Sequence, residues 1–215
     1  MKTIVSQGLM IPQIGFGTFR MPGDGSQAVV ESAIAQGYRH IDTAAMYDNE
    51  AAVGRAIKAS GVDRRDLFLT TKVWHDQLEP TALLHAFELS LAKLDVEYVD
   101  LFMVHWPAAT MDLPGVMSAM NRLRDSGKIR GLGVCNFNLK MLRQAIDQLD
   151  APIAAVQAEY HPFLDQSRLL STCAQKIFPW WPMHRWPRDA SPAIRCLLAS
   201  LKSTAAPRRR SPLPG

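Results

Sequence analysis

Four polar residues lie at or just after the ends of apolar, strand-like segments: Asp42, Tyr47, Lys72 and His105. In a parallel α/β barrel the carboxyl ends of the strands open onto one face, so residues that are far apart in sequence can meet there. An acid, a lysine, a tyrosine and a histidine placed together can give a proton to an oxygen that is gaining negative charge. The spacing therefore predicts a proton-donating site, which indicates carbonyl chemistry.

Short β-rich segments alternate with amphipathic helical segments between residues 12 and 176. The predicted strands cover roughly 13–18, 39–43, 67–73, 98–104, 130–135 and 153–158, and the predicted helices cover 27–37, 49–59, 80–94, 115–126, 139–149 and 165–175. Six strand–helix units indicate a parallel sheet, either doubly wound or closed as a barrel. Gly15-Phe16-Gly17 supplies only half of a dinucleotide-binding glycine turn, so the open sheet is weakly disfavoured.

Composition places the chain among globular proteins of ordinary character. The 215 residues are 47% hydrophobic and 20% charged, and no apolar segment approaches the roughly 20 residues of a membrane span. Three cysteines, Cys135, Cys173 and Cys196, fit neither a disulfide framework nor a zinc site, so we expect reduced thiols, no bound metal and a cytoplasmic location.

The net charge of +4 comes from the C-terminal segment alone. Residues 177–215 carry six Arg and one Lys against one Asp, so that segment is at +6 and residues 1–176 are at −2. The basic character therefore gives no reason to expect nucleic acid or a membrane as a partner of the folded part. An RNA- or membrane-binding arm is the weakest alternative, because the segment lacks regular aromatic–basic spacing.

Several sequence blocks, in order, resemble the aldo-keto reductase family. They are 42–50 with Val53-Gly54, then 70–74, 100–107, 131–137 and 157–162. Together they cover residues 11–176, and within the family the chain looks most like the bacterial 2,5-diketo-D-gluconate reductases. The resemblance implies an α/β fold of the (β/α)₈ TIM-barrel type that reduces aldehydes and ketones with NADPH, with a small carbonyl compound as the partner.

The resemblance also implies a role for each site residue. Tyr47 would be the general acid, Lys72 would lower the pKa of Tyr47, and Asp42 would hold Lys72 by an ion pair and face the cofactor. His105 would orient the carbonyl oxygen. Substrate walls are expected from Trp74 and Trp106, and cofactor contacts from Gly17, Thr18, Asn136 and Gln157, while the family usually has serine at the position of Cys135.

Taken singly, these residues also have ordinary structural interpretations. Asp42 could cap a turn, His105 could be a core histidine, and Tyr47 could be surface packing. Lys72 is harder to explain in this way, because buried lysines are rare without a partner. The joint occurrence, in the family's order, is what favours function. A non-catalytic cofactor-binding or interaction protein, or an inactive fragment, remains the alternative.

The chain departs from the family after residue 176. Only about six of the eight βα units are recognisable, so we predict an incomplete barrel over residues 1–176 and an irregular tail over 177–215, which holds seven of the fourteen prolines. Codons permitted for residues 180–189 allow the string L-V-A-Y-A-P-L-A-Q-G-R in another frame, which resembles the family's seventh strand. We therefore expect a frameshift near Lys176 and weak or no turnover. A complete barrel would be monomeric, whereas an open one would be prone to aggregation.

Overall fold

The computed structural model describes residues 2–21, 23–161 and 163–175 and the backbone of 180–183. It begins with an antiparallel hairpin of β1 (Thr3–Ser6) and β2 (Leu9–Pro12). Gln7 and Gly8 form the two-residue turn, both with positive φ, which is the geometry that suits a tight hairpin. The sequence patterns had not predicted this hairpin.

Seven parallel strands follow in one sheet, in the order of the chain. They are β3 (Phe16–Gly17), β4 (His40–Asp42), β5 (Phe68–Val73), β6 (Val99–Val104), β7 (Ile129–Cys135), β8 (Ile153–Glu159) and β9 (Trp180–Met183). A parallel sheet whose neighbours are all consecutive, with a helix between strands, is the arrangement of a TIM-type barrel. The predicted fold class is therefore confirmed. Within the described residues β3 and β9 do not pair, so the described part of the barrel is open.

Helices connect the first six parallel strands to their successors. They are α1 (Gly25–Ala35), α2 (Glu50–Ala59), α3 (Pro80–Leu94), α4 (Leu113–Asp125), α5 (Leu139–Arg143, continued by a π-helical turn Gln144–Gln148) and α6 (Ser167–Gln175). α3 shows why the boundaries were predictable: Pro80 occupies its first turn, and Asp95 ends it in a left-handed conformation. Among the described residues no helix is both long and apolar enough to span a membrane.

Apolar side chains fill both faces of the sheet. The larger cluster lies between the strands and the surrounding helices and includes Phe87, Phe102 and Met120. A smaller cluster fills the barrel interior, where Phe68, Leu101 and Met103 are packed with Ile11 of the hairpin. The hairpin thus closes the amino-terminal end of the barrel, and the carboxyl end is left for the site.

Strand β9 lies in the segment for which the sequence indicated no regular structure. Its backbone pairs in parallel with β8, from Val156↔Trp180 to Glu159↔Met183. Main-chain pairing along an available strand edge does not need alternating side chains, so a residue pattern could not reveal it. The rest of the predicted tail lies outside the described residues, and the domain boundary at residue 176 stays a prediction.

Candidate active site

Adjacent strands bring the four polar residues to one end of the sheet. Asp42 ends β4 and pairs in register with Thr70 of β5, while Lys72 lies two residues further along β5. His105 directly follows β6, and Tyr47 ends a short 3₁₀ helix, Ala45–Tyr47, that follows β4. Side chains of alternate residues point to the barrel interior, so Asp42 and Lys72 meet inside its carboxyl end.

Lys72 is held almost entirely inside the protein, with 1% of its surface exposed. Its Nζ forms an ion pair with Asp42 Oδ1 and donates a hydrogen bond to the Thr43 carbonyl at 2.8 Å. Burial acts to lower the pKa of Lys72, but the charge of Asp42, its hydrogen bond to Lys72 and the nearby Tyr47 and Cys135 together outweigh burial, and the pKa lies above its usual value. Lys72 is therefore a permanent buried cation in this site.

Asp42 is bound at both of its carboxylate oxygens. Oδ1 faces Lys72, and Oδ2 accepts a 2.8 Å hydrogen bond from Gln157 Nε2 of β8. Burial alone would raise the pKa of Asp42, but the Lys72 charge, aided by His40 and by these hydrogen bonds, holds it below its usual value. Asp42 is consequently ionised at neutral pH.

Tyr47 and His105 form the second pair of the site. The Tyr47 hydroxyl lies 3.5 Å from His105 Nε2, and Lys72 Nζ lies 5.2 Å from the centre of the Tyr47 ring. Burial raises the pKa of Tyr47 more than the Lys72 charge lowers it, so the net shift is upward. Lys72 thus acts on the pKa of Tyr47 in the expected direction, but burial outweighs it in this structure.

His105 is buried and neutral. Burial and the nearby Lys72 charge lower its pKa to about 3. Its carbonyl accepts a 2.8 Å hydrogen bond from Asn136 Nδ2, and its ring meets the Trp74 ring edge to face at 5.1 Å. Its Nδ1 is buried and has no hydrogen-bond partner among the described residues. Only Nε2 is therefore directed at the tyrosine hydroxyl.

The predicted substrate-wall residues differ in position. Trp74 is partly buried against His105, whereas Trp106 is 40% exposed. Phe19, which the sequence interpretation had not selected, lies against Tyr47 with ring centres 5.1 Å apart. The only available signal was its place directly after the Gly17-Thr18 turn.

The residues predicted to contact the cofactor differ in their surroundings. A Cβ added at Gly17 would meet no atom within 4 Å, so open space lies beside this backbone. Asn136 is half-buried and its backbone is in the left-handed conformation. Its Nδ2 donates a hydrogen bond to the His105 carbonyl. Thr18, however, is fully buried, and its backbone N–H and hydroxyl both bond the Asp42 carbonyl. The backbone at Gly17 is therefore open to a neighbour, whereas Thr18 supports the loop from inside, and the cofactor contacts stay a prediction.

Asn49 is a site-supporting residue whose role the sequence patterns had not revealed. Its Nδ2 donates to the carbonyls of Thr18 and Met21 at 2.9 Å each, and its Oδ1 accepts from Thr43 at 2.8 Å. This side chain joins the loop after β3 to the loop after β4. It therefore fixes the backbone on which Gly17 and Tyr47 are placed.

The fold and this site place the chain among α/β-barrel proteins whose chemistry takes place at the carboxyl ends of the strands. The sequence profile of the Aldo/keto reductase family matches residues 13–184. The chain belongs to the aldo/keto reductase family, a family of oxidoreductases, as the sequence blocks had indicated.

Individual relatives agree with this assignment. An aldo-keto reductase of Mycobacterium sp. (strain KMS) is 39% identical over 206 residues, which cover 94% of this chain and 75% of that protein. The methylglyoxal reductase DkgA of Yersinia pestis is 41% identical over 164 residues, covering 75% of this chain and 58% of that protein. A crystal structure described as a 2,5-diketo-D-gluconic acid reductase B superposes with a TM-score of 0.84 at 41% identity, covering 90% of this chain and 69% of that chain.

Proposed function

We propose that this site reduces the carbonyl group of small aldehydes and ketones with NADPH as the hydride donor. The observation that carries the proposal is the pairing of the Tyr47 hydroxyl with His105 Nε2 at 3.5 Å, beside a buried Lys72–Asp42 ion pair. A hydroxyl donor, a neutral imidazole and a fixed cation together meet the needs of an oxygen that is becoming an alkoxide.

Each residue has one part in the proton transfer. As hydride adds to the carbonyl carbon, the electrons of the C=O double bond move to oxygen, and that oxygen takes the proton of the Tyr47 hydroxyl. The phenolate that remains is stabilised by the Lys72 ammonium and regains a proton from water. His105 is neutral, and its Nε2–H orients the carbonyl oxygen; this tautomer leaves the lone pair on the unpartnered Nδ1.

NADPH would supply the hydride when bound. We propose that Gly17 and Asn136 contact NADPH directly. Asp42 and Gln157 would lie at the same carboxyl end of the barrel, and Thr18 would support the loop that carries Gly17. The open space at Gly17 supports this arrangement. The choice of NADPH over NADH is supported by the family resemblance alone.

Small dicarbonyl compounds are the proposed substrates. The relative from Yersinia pestis is named a methylglyoxal reductase, and the structural neighbour a 2,5-diketo-D-gluconic acid reductase. Both names describe compounds with two aldehyde or ketone groups. The edge-to-face rings of Trp74 and His105 offer an aromatic wall against which such a compound would lie.

The test is NADPH consumption by the purified, mass-verified chain with methylglyoxal, compared with Tyr47→Phe. We expect Tyr47→Phe to lower kcat roughly 10²–10⁴-fold, because it removes the proton donor and leaves the ring. Tyr98→Phe is the matched control, since the Tyr98 ring packs against Arg64 and Arg130 and not against the site residues. Cofactor binding without turnover in the parent chain would favour the non-catalytic alternative.

The proposed frameshift has its own test. Resequencing the gene across the codons for residues 165–215 will show whether a base has been lost or gained. The mycobacterial alignment covers 94% of the chain and therefore continues past residue 176. If the frame is as given, we expect the turnover of the 215-residue chain to be weak, and robust reduction by that chain would contradict this expectation.

A further inference from the structure

A chain of hydrogen bonds crosses the carboxyl end of the barrel from Cys135 to Lys72. Cys135 Sγ lies 3.4 Å from Gln157 Oε1, and Gln157 Nε2 donates to Asp42 Oδ2 at 2.8 Å. The other oxygen of Asp42 pairs with Lys72. Cys135 and Gln157 are register partners on β7 and β8, whereas Asp42 lies on β4, so the Gln157–Asp42 bond spans the interior.

The two ends of the Gln157 amide face different chemical partners. Its oxygen can accept from the thiol, and its nitrogen can donate to the carboxylate, so only one orientation of the amide satisfies both. Burial raises the pKa of the Cys135 thiol, so the sulfur keeps the hydrogen that this arrangement needs. An amide turned the other way would place its oxygen against the Asp42 carboxylate.

We propose that Cys135 is a positioning residue: its thiol holds the Gln157 amide in the orientation that fixes Asp42 against Lys72. Cys135 would then act on proton transfer through three successive contacts, without touching the substrate. The other ionisable groups around the pair include Tyr47, Glu50 of α2, His40 on β4 and His105 after β6. The effect on catalysis rests on the proposed function, whereas the effect on the Asp42–Lys72 pair does not.

A packing role for Cys135 makes a different prediction. Its sulfur also lies 3.9 Å from Met103 Sδ in the barrel interior, so side-chain volume alone could be what matters. Cys135→Val removes the donor and enlarges the side chain by about one methyl group, whereas Cys135→Ser preserves the donor and makes the side chain smaller. A packing role predicts a loss in Ser and an effect of Val that does not depend on Asp42, so the two variants and a double-mutant cycle together separate hydrogen bonding from packing.

The first experiment is urea unfolding of the 215-residue chain without cofactor. We expect Cys135→Ser to unfold at the same urea concentration as the parent and Cys135→Val to unfold at a lower one, since Val leaves the Gln157 oxygen buried without a donor. The reverse order, with Ser destabilised and Val unchanged, would overturn the proposal in favour of packing.

A double-mutant cycle then tests whether the effect passes through Asp42. Asp42→Asn combined with Lys72→Met removes the ion pair without leaving one buried charge alone. In that background we expect Cys135→Val to lose most of its effect on the urea midpoint. An equal effect in both backgrounds would show that Cys135 does not act through Asp42, and would refute the positioning role.

The catalytic consequence is measured separately, in any preparation that turns over. We expect Gln157→Met to lower kcat on the order of tenfold, as for the loss of a hydrogen bond to a charged group. Cys135→Val should lower kcat in the same direction, and Cys135→Ser should restore it, with KM for the carbonyl substrate unchanged in each case. If neither the 215-residue chain nor the protein read in the corrected frame reduces methylglyoxal, the proposed function fails, and the unfolding measurements still decide the role of Cys135.

Discussion

Burial shifts the two titrating side chains nearest the expected carbonyl oxygen in ways that keep both neutral. It raises the pKa of Tyr47 and lowers that of His105 to about 3. Tyr47 therefore keeps its proton at neutral pH, and His105 does not gain one. The fixed charges are confined to Lys72 and Asp42, which neutralise each other inside the barrel.

These shifts predict the pH dependence of reduction. Because the pKa of His105 is about 3, the imidazole is already neutral throughout about pH 5–8, where an ordinary histidine would titrate. Because the pKa of Tyr47 is raised, the proton donor is lost only as pH rises above the ordinary tyrosine range. We expect kcat for carbonyl reduction to be flat over about pH 5–8 and to fall in alkali, as measured by initial rates in constant ionic strength.

His105→Gln serves as the control for that pH profile. It keeps a polar side chain of similar length and removes the titrating ring, so a slower but equally flat profile is expected. A parent rate that declines near neutral pH, together with a flat rate in His105→Gln, would contradict the prediction that the His105 imidazole stays neutral in this range.

At the scale of elements, the amino-terminal hairpin and strand β7 are fitted to each other. A Cβ built at Gly131 would collide with Leu9 Cδ1 of the hairpin, and Ser6 Oγ donates to the Ala154 carbonyl of β8 at 2.8 Å. Glycine at position 131 thus allows the hairpin to close the bottom of the barrel. The candidate active site lies at the opposite, carboxyl end of the barrel. It depends on this closure only because the same strands run from one end to the other.

Gly131→Ala should therefore destabilise the fold. We expect a loss of about 1 kcal/mol in the free energy of unfolding, the lower end of the usual cost of overpacking, because Leu9 Cδ1 is the end of a half-buried side chain that can move aside. Denaturant unfolding is the measurement, and Leu9→Ala should recover part of the loss when it is combined with Gly131→Ala. Gly25→Ala is the matched control, because a Cβ there would meet no atom within 4 Å. Equal effects of the two alanine substitutions would contradict the predicted collision.

At the scale of the whole molecule, the two ends of the barrel have different tasks. The amino-terminal end holds Asp100, with a 3% exposed side chain, between Arg64 at 2.8 Å and Arg130 at 3.2 Å. Asp100 Oδ2 also accepts from the Leu69 backbone N–H at 2.9 Å. The cluster joins the start of β5, β6 and β7, far from Tyr47, so it contributes to stability and not to chemistry.

Asp100→Asn should separate stability from activity. Because Arg64 is mostly buried, we expect the variant to lose about 3 kcal/mol of unfolding free energy while kcat per folded molecule is unchanged. Arg130→Ala is the comparison, since the Arg130 side chain is 44% exposed and its loss should cost about 1 kcal/mol or less. A loss of kcat in Asp100→Asn that exceeds the unfolded fraction would contradict this division.

Local patterns predicted the central strands closely and the ends of the described chain poorly. The predicted strands 67–73 and 98–104 correspond to Phe68–Val73 and Val99–Val104, because buried parallel strands are continuous apolar segments. The first predicted strand shrinks to Phe16–Gly17, and the hairpin before it was missed. Strand β9 was missed because only its pairing with β8 defines it. The expected self-association of an open barrel stays a prediction.

The sequence by itself determined the family, the parallel barrel order and the identity of the four polar residues. The family and the barrel order follow from the resemblance of the sequence blocks, whereas the alternation of strands and helices follows from periods in residue type, which are local properties of the chain. Only the tertiary structure decided the bond between Gln157 and Asp42, which are 115 positions apart, and the upward pKa shift of Tyr47. The hydrogen bond and the pKa shift depend on which groups folding brings together and on how much water burial removes from them. Local sequence patterns predict neither of these.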